Sequence, residues 1–82
     1  MKLFQLAPRE DLTYEDNLWE PWYGKCFGSI VRANTEKEAR EFASKRSGDE
    51  ESKAWLNKKY STCVELTAEG EIGVVIVDFA AA

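Results

Sequence analysis

The chain has 82 residues, 15 of them acidic and 11 basic, which gives a formal net charge of −4. This length allows one domain over residues 1–82, and the acidic balance disfavours nonspecific binding to nucleic acid or to an anionic membrane. No apolar run reaches 18 residues and the N-terminus lacks a secretory pattern, so a cytoplasmic protein without a membrane span is expected. Histidine, the commonest general base and metal ligand, does not occur.

The first predicted element is a strand over residues 2–7. Leu3 and Gln5 face one side of this strand, and Phe4 and Leu6 face the other, because side chains alternate along extended backbone. The strand is expected to end at Pro8, since proline cannot donate a hydrogen bond to the sheet.

The next segment, residues 8–24, is the acidic–aromatic loop. Connections of about 4–6 residues are usual in compact domains, whereas longer ones are functional or disordered, and this aromatic content argues against disorder. We therefore predict an ordered surface that binds a protein partner. The expected partner-binding residues are Glu10, Asp11, Tyr14, Glu15, Asp16, Trp19, Glu20, Trp22 and Tyr23. The alternative is that Trp19, Trp22 and Tyr23 form a lid over the second face of the sheet, the one that the main helix does not cover, which predicts the same residues.

A second strand is predicted over residues 25–33, with Gly28 marking a bulge or a close contact. The main helix follows over residues 34–46. Thr35 and Glu38 have the spacing of a capping box at its start. An apolar stripe of Ala39, Phe42 and Ala43 would pack on the sheet.

Three further elements are predicted: a short helix within residues 49–57, a third strand over 61–67, and a fourth over 73–79 after a turn at 68–71. The fourth strand, GVVIVDF, is apolar on both faces, as in strands that are covered on both sides. The acidic–aromatic loop, the Trp55 segment or another copy of the protein would cover the second face. The predicted fold class is α+β, a small antiparallel or mixed sheet of about four strands with one main helix on one face, in the order β-loop-β-α-ββ.

The sequence predicts no catalytic residues, no cofactor and no metal site. The loop carboxylates do not have the spacing of a calcium-binding EF-hand, and carboxylate pairs such as Glu15 and Glu20 arise by chance among 15 acidic residues. Cys26 and Cys63 are expected to be structural thiols without a disulfide. Basic residues around Trp55 and Tyr60 could stack on single-stranded bases, but acidic residues interrupt them, so direct nucleic-acid binding is the weaker alternative.

Several segments resemble small uncharacterised proteins of phages and bacterial mobile elements. They are MKLFQL, the acidic–aromatic loop, SIVRANTEKEAREFAS (within it Val31-Arg32-Ala33, Thr35-Glu36 and Glu38-Ala39-Arg40) and GVVIVDFAA with Gly73 and Asp78-Phe79. The resemblance implies no activity and no functional residues. It does imply a context, because small acidic phage proteins of this size are similar to host-directed inhibitors, including anti-CRISPR proteins, which bind a defence complex directly.

We therefore predict a non-enzymatic protein-binding module, a phage-type inhibitor of a bacterial defence complex or another host complex in the bacterial cytoplasm. The acidic residues would direct it to a basic nucleic-acid-binding surface of that partner. Two alternatives stay open: a structural or assembly protein that forms a homodimer through the second sheet face, and a weak nucleic-acid-binding domain.

Overall fold

The computed structural model describes residues 1–76. Within this range the elements are β1 (Lys2–Pro8), β2 (Ser29–Ala33), α1 (Glu36–Ser44), α2 (Lys53–Leu56) and β3 (Ser61–Leu66). The fold is α+β, with one main helix and a three-stranded sheet in the order β2-β1-β3, and both strand pairs are antiparallel.

The alternation along β1 divides the sheet into two faces. Phe4 and Leu6 are buried against the helices, on the inner face. Leu3 and Gln5 lie on the outer face, as the sequence predicts. The core also contains two tryptophans, four alanines and partly buried apolar neighbours. Its buried members are Phe4, Leu6, Trp19, Ala33, Ala39, Ala43, Ala54 and Trp55.

The capping box at the start of α1 is confirmed. The Thr35 side chain accepts a hydrogen bond from the Glu38 backbone N–H at 3.2 Å, and the Glu38 carboxylate accepts one from the Asn34 N–H at 2.8 Å. The predicted apolar stripe is wrong at Phe42, which is exposed, whereas Arg40 is buried. Arg40 can be buried because its guanidinium donates four hydrogen bonds to neighbours, and the small side chains of Ala39 and Ala43 let the helix approach the core.

The second strand is shorter than predicted, since residues 25–28 are not part of it. A side chain at Gly28 would lie 2.9 Å from the Leu6 carbonyl oxygen, and the φ of Gly28 is +155°. Of the bulge and the close contact expected at Gly28, the structure thus shows the close contact. Further along, α2 begins at Lys53 rather than near Asp49, because the intervening residues form turns that fix Glu50 inward.

A fourth strand does not occur among the described residues. Gly73–Ile76 is not in a strand, so the expected hairpin after residues 68–71 is not formed there, although Gly70 has the predicted positive φ of +141°. Residues 77–79 of the predicted strand, with Asp78, lie outside the described residues. Trp19 and Trp55 both pack on the inner side, so neither of them covers the outer face.

Candidate partner-binding surface

The acidic–aromatic loop is anchored to the core by Trp19. This side chain is 3% exposed and packs edge-to-face against Trp55, with ring centroids 5.4 Å apart. Its indole N–H donates to the Cys26 carbonyl oxygen at 2.8 Å, across seven residues of chain. Leu12 and Leu18 pack beside it against the core. Trp19, expected either to contact a partner or to cover the second face of the sheet, is instead a core residue on the inner side.

The base of the loop is fixed by the buried carboxylate of Glu50, which is 1% exposed. It accepts hydrogen bonds from the Cys26 N–H at 3.0 Å, the Gly48 N–H at 3.0 Å and the Trp55 indole N–H at 2.7 Å. Burial alone would raise the pKa of Glu50, but these hydrogen bonds to the charged form outweigh it and hold the pKa below its ordinary value. Glu50 therefore acts as a charged clasp between Cys26, two residues after the loop, and the connection from α1 to α2.

Two glycines allow the chain to close at this clasp. The Asp49 N–H donates to the Gly24 carbonyl oxygen at 2.7 Å, and Gly24 has a φ of +74°. A side chain at Gly48 would collide with the same carbonyl oxygen. After Trp22 and Tyr23 the chain therefore makes a tight turn at Gly24, which is hydrogen-bonded to Asp49.

Three aromatic side chains of the loop remain on the surface. Tyr14 is 87% exposed, Trp22 is 70% exposed and Tyr23 is 65% exposed. The rings of Trp22 and Tyr23 meet edge-to-face with centroids 6.1 Å apart and an interplanar angle of 81°. These two rings form an exposed aromatic pair directly next to the anchored turn.

The loop carboxylates fall into two groups. Asp11 accepts two N–H groups of Arg9 at 2.8 Å, which outweighs desolvation and lowers its pKa, and Asp16 lies 3.5 Å from the Lys59 ammonium. The second group is exposed and has no ion pair among residues 1–76. Its members are Glu10, Glu15 and Glu20. Only part of the predicted acidic set therefore carries uncompensated charge.

The loop presents no metal centre in the part of the chain that is described, since no group of three or more Cys, Asp and Glu side chains there could hold an ion. Cys26 and Cys63 are free thiols, half-buried beside the core, and burial raises the pKa of the Cys63 thiol. A raised pKa leaves less reactive thiolate, in keeping with a structural role.

The basic residues around Trp55 and Tyr60 were expected to form a base-stacking cluster. Several of them instead contact other side chains of the chain. Lys53 lies 3.8 Å from the Glu51 carboxylate, while Lys59 pairs with Asp16 in the acidic–aromatic loop. The Lys45 ammonium lies over the exposed ring of Phe42 instead, at 5.0 Å from its centroid. No observation in residues 1–76 favours the nucleic-acid alternative over a solvated surface of mixed charge.

Comparison with known proteins yields no match, whether among family models, curated proteins or solved structures. In the described residues, none of the helices has the length and apolar character needed to span a membrane.

Proposed function

We propose that the chain is a non-enzymatic protein-binding module whose acidic–aromatic loop contacts the partner. The observation that carries the proposal is the exposed pair of Trp22 and Tyr23 on a loop that Trp19 and Glu50 hold in one conformation. Large exposed aromatic side chains on a soluble surface are costly to leave in water, and they supply much of the binding energy at protein interfaces. A preorganised loop also loses little conformational entropy on binding.

The charge around this pair favours a basic partner surface. Glu10, Glu15 and Glu20 are exposed and free of ion pairs within residues 1–76, and the whole chain has a net charge of −4. Such carboxylates accelerate association with a positively charged surface and do so most strongly at low salt. A nucleic-acid-binding surface of a bacterial defence complex or another host complex is a partner of this chemistry, and the chain would inhibit it by occlusion.

The test is an affinity capture from bacterial lysate with three baits: the wild-type chain, Trp22→Ala/Tyr23→Ala, and Phe42→Ala as the matched control. Phe42 is also an exposed aromatic side chain, but it belongs to α1 and not to the loop. Thermal melts establish that all three baits are folded. We expect one protein to be retained by the wild type and by Phe42→Ala and to be lost with Trp22→Ala/Tyr23→Ala. Equal capture by all three baits would contradict the proposal.

The inhibitor role is tested on the captured protein itself. Added oligonucleotide should compete with the chain if the two share a basic surface. Glu15→Lys/Glu20→Lys should slow association by about tenfold or more at low salt and much less at high salt, because steering is screened. Simultaneous binding of oligonucleotide and chain, or an unchanged association rate, would contradict this part of the proposal.

A further inference from the structure

The outer face of the sheet carries exposed apolar side chains that no other element covers within residues 1–76. Ile30 and Val64, which are 52% and 56% exposed, flank Gln5 from the two outer strands. Leu3 is exposed on the same face and pairs with Leu66. Exposed apolar side chains from three adjacent strands thus lie together on one face, around Gln5 and Arg32, and such a grouping marks an interface rather than scattered exposure.

A second apolar surface lies nearby in the chain, on residues 72–76, here called the apolar segment. Ile72, Val74 and Val75 are exposed. Ile76 lines a groove with Phe27 and Ile30, at the edge of the outer face. The last residue of the segment therefore lies beside the outer face, while the side chains before it remain exposed to solvent.

We propose that a second copy of this chain occupies the outer face, with the apolar segment of each copy packed on the outer face of the other. Both halves of the contact are present on one chain, so a two-fold arrangement makes each contact twice and closes without leaving a free surface. The β-branched side chains of the segment suit an extended, sheet-like packing. The two contacting surfaces also carry opposite charges, because Arg32 follows Ile30 on the outer face and Glu71 precedes the apolar segment.

This dimer is independent of the proposed function, because the acidic–aromatic loop anchors on the inner side of the sheet. Its test is the molar mass of the full chain by sedimentation equilibrium over a range of protein concentrations. The variants are Ile30→Glu on the acceptor face and Val75→Glu in the segment, both at exposed positions. Phe42→Glu, an equal change at an exposed apolar residue of α1, is the matched control.

We expect a dimer for the wild type and for Phe42→Glu, and a dissociation constant raised at least about tenfold for each of the other two variants. Circular dichroism separates loss of dimer from loss of fold. A wild-type monomer at the highest concentration would overturn the proposal, as would a dimer that Phe42→Glu weakens as much as Ile30→Glu does. A dimer that resists both Ile30→Glu and Val75→Glu would place the contact elsewhere and overturn it too.

Discussion

At the scale of single residues, two buried charged side chains connect segments that are distant in sequence. Glu50 links Cys26, just after the loop, to Gly48 and Trp55, and Arg40 links α1 to the end of α2 and the start of β3. A buried charge is costly unless its hydrogen-bonding capacity is satisfied, and in the described residues no buried side-chain nitrogen or oxygen lacks a partner. Removing the partners of either side chain therefore leaves a buried charge unsatisfied and lowers the free energy of unfolding.

Replacing Glu50 by Gln tests the clasp. The amide keeps the size of the side chain but turns one of its two acceptor oxygens into a donor, which then faces the N–H groups of Gly48 or Trp55. We expect the free energy of unfolding to fall by about 2 kcal/mol. Urea denaturation measures it, with Glu51→Gln as control, since Glu51 is exposed and should change stability by less than about 0.5 kcal/mol. Equal losses for the two variants would contradict the clasp.

Replacing Arg40 by Lys tests the second connection. Arg40 donates to Glu36 at 2.8 Å, to the Trp55 carbonyl at 2.8 Å, and to the Ser61 hydroxyl and carbonyl at 2.9 and 3.1 Å. An ammonium group cannot reproduce this planar fork. We expect a loss of about 1–3 kcal/mol in the free energy of unfolding.

The control for Arg40→Lys is Arg46→Lys, the same substitution at an exposed position just after α1. It should leave the urea midpoint nearly unchanged. If Arg40→Lys were equally silent, the buried guanidinium would contribute packing but no specific hydrogen bonding.

At the scale of elements, α1 depends on its first turn. Thr35 accepts the Glu38 N–H and Glu38 accepts the Asn34 N–H, so two donors at the helix start are satisfied by side chains. Thr35→Ala removes one of them, and we expect a loss of about 1 kcal/mol in the free energy of unfolding. Thr35→Ser keeps the hydroxyl and should retain most of the stability. Thermal denaturation of both variants checks this, and equal melting temperatures would argue against the cap.

The elements that sequence could predict are those encoded by local patterns. The alternation of Leu3 to Leu6 and the spacing of Thr35 and Glu38 depend on neighbouring residues, and both predictions are confirmed. The clasp was missed because Asp49, Glu50 and Glu51 look alike in sequence, and only the distant Cys26 N–H and the Trp55 indole distinguish the middle one. Trp55 gives a weak signal in the sequence, because a buried indole N–H needs a hydrogen-bond acceptor and an acidic residue nearby can supply it.

The loop was predicted only in part, for the same reason. Sequence identified its aromatic content but left Trp19, Trp22 and Tyr23 as either interface or lid. The structure divides them, because Trp19 reaches the Cys26 carbonyl and Trp55, while Trp22 and Tyr23 lie on the exposed side of the turn at Gly24. Which of several aromatic residues is buried depends on the tertiary partners, and these are not encoded in the local pattern.

At the scale of the whole molecule, the long loop of this small domain is held by one ionised carboxylate, which makes its stability depend on pH. The pKa of Glu50 is below its ordinary value of 4.5, since the hydrogen bonds outweigh the burial that raises it. The unfolded state therefore binds the proton more tightly than the folded state. The stabilisation is complete above about pH 4.5 and is lost as the pH falls through the lower pKa of the folded state.

We expect the free energy of unfolding to decrease on acidification from about pH 5 to pH 3, and to decrease less steeply in Glu50→Gln, which has no proton to gain at this site. Glu36, whose pKa the Arg40 hydrogen bond lowers against the effect of burial, accounts for part of the slope that remains. Urea titrations at a series of pH values measure both curves. Parallel curves would mean that the pKa of Glu50 is the same in the folded and unfolded states, and the loop would then be held mainly by the packing of Trp19 on Trp55.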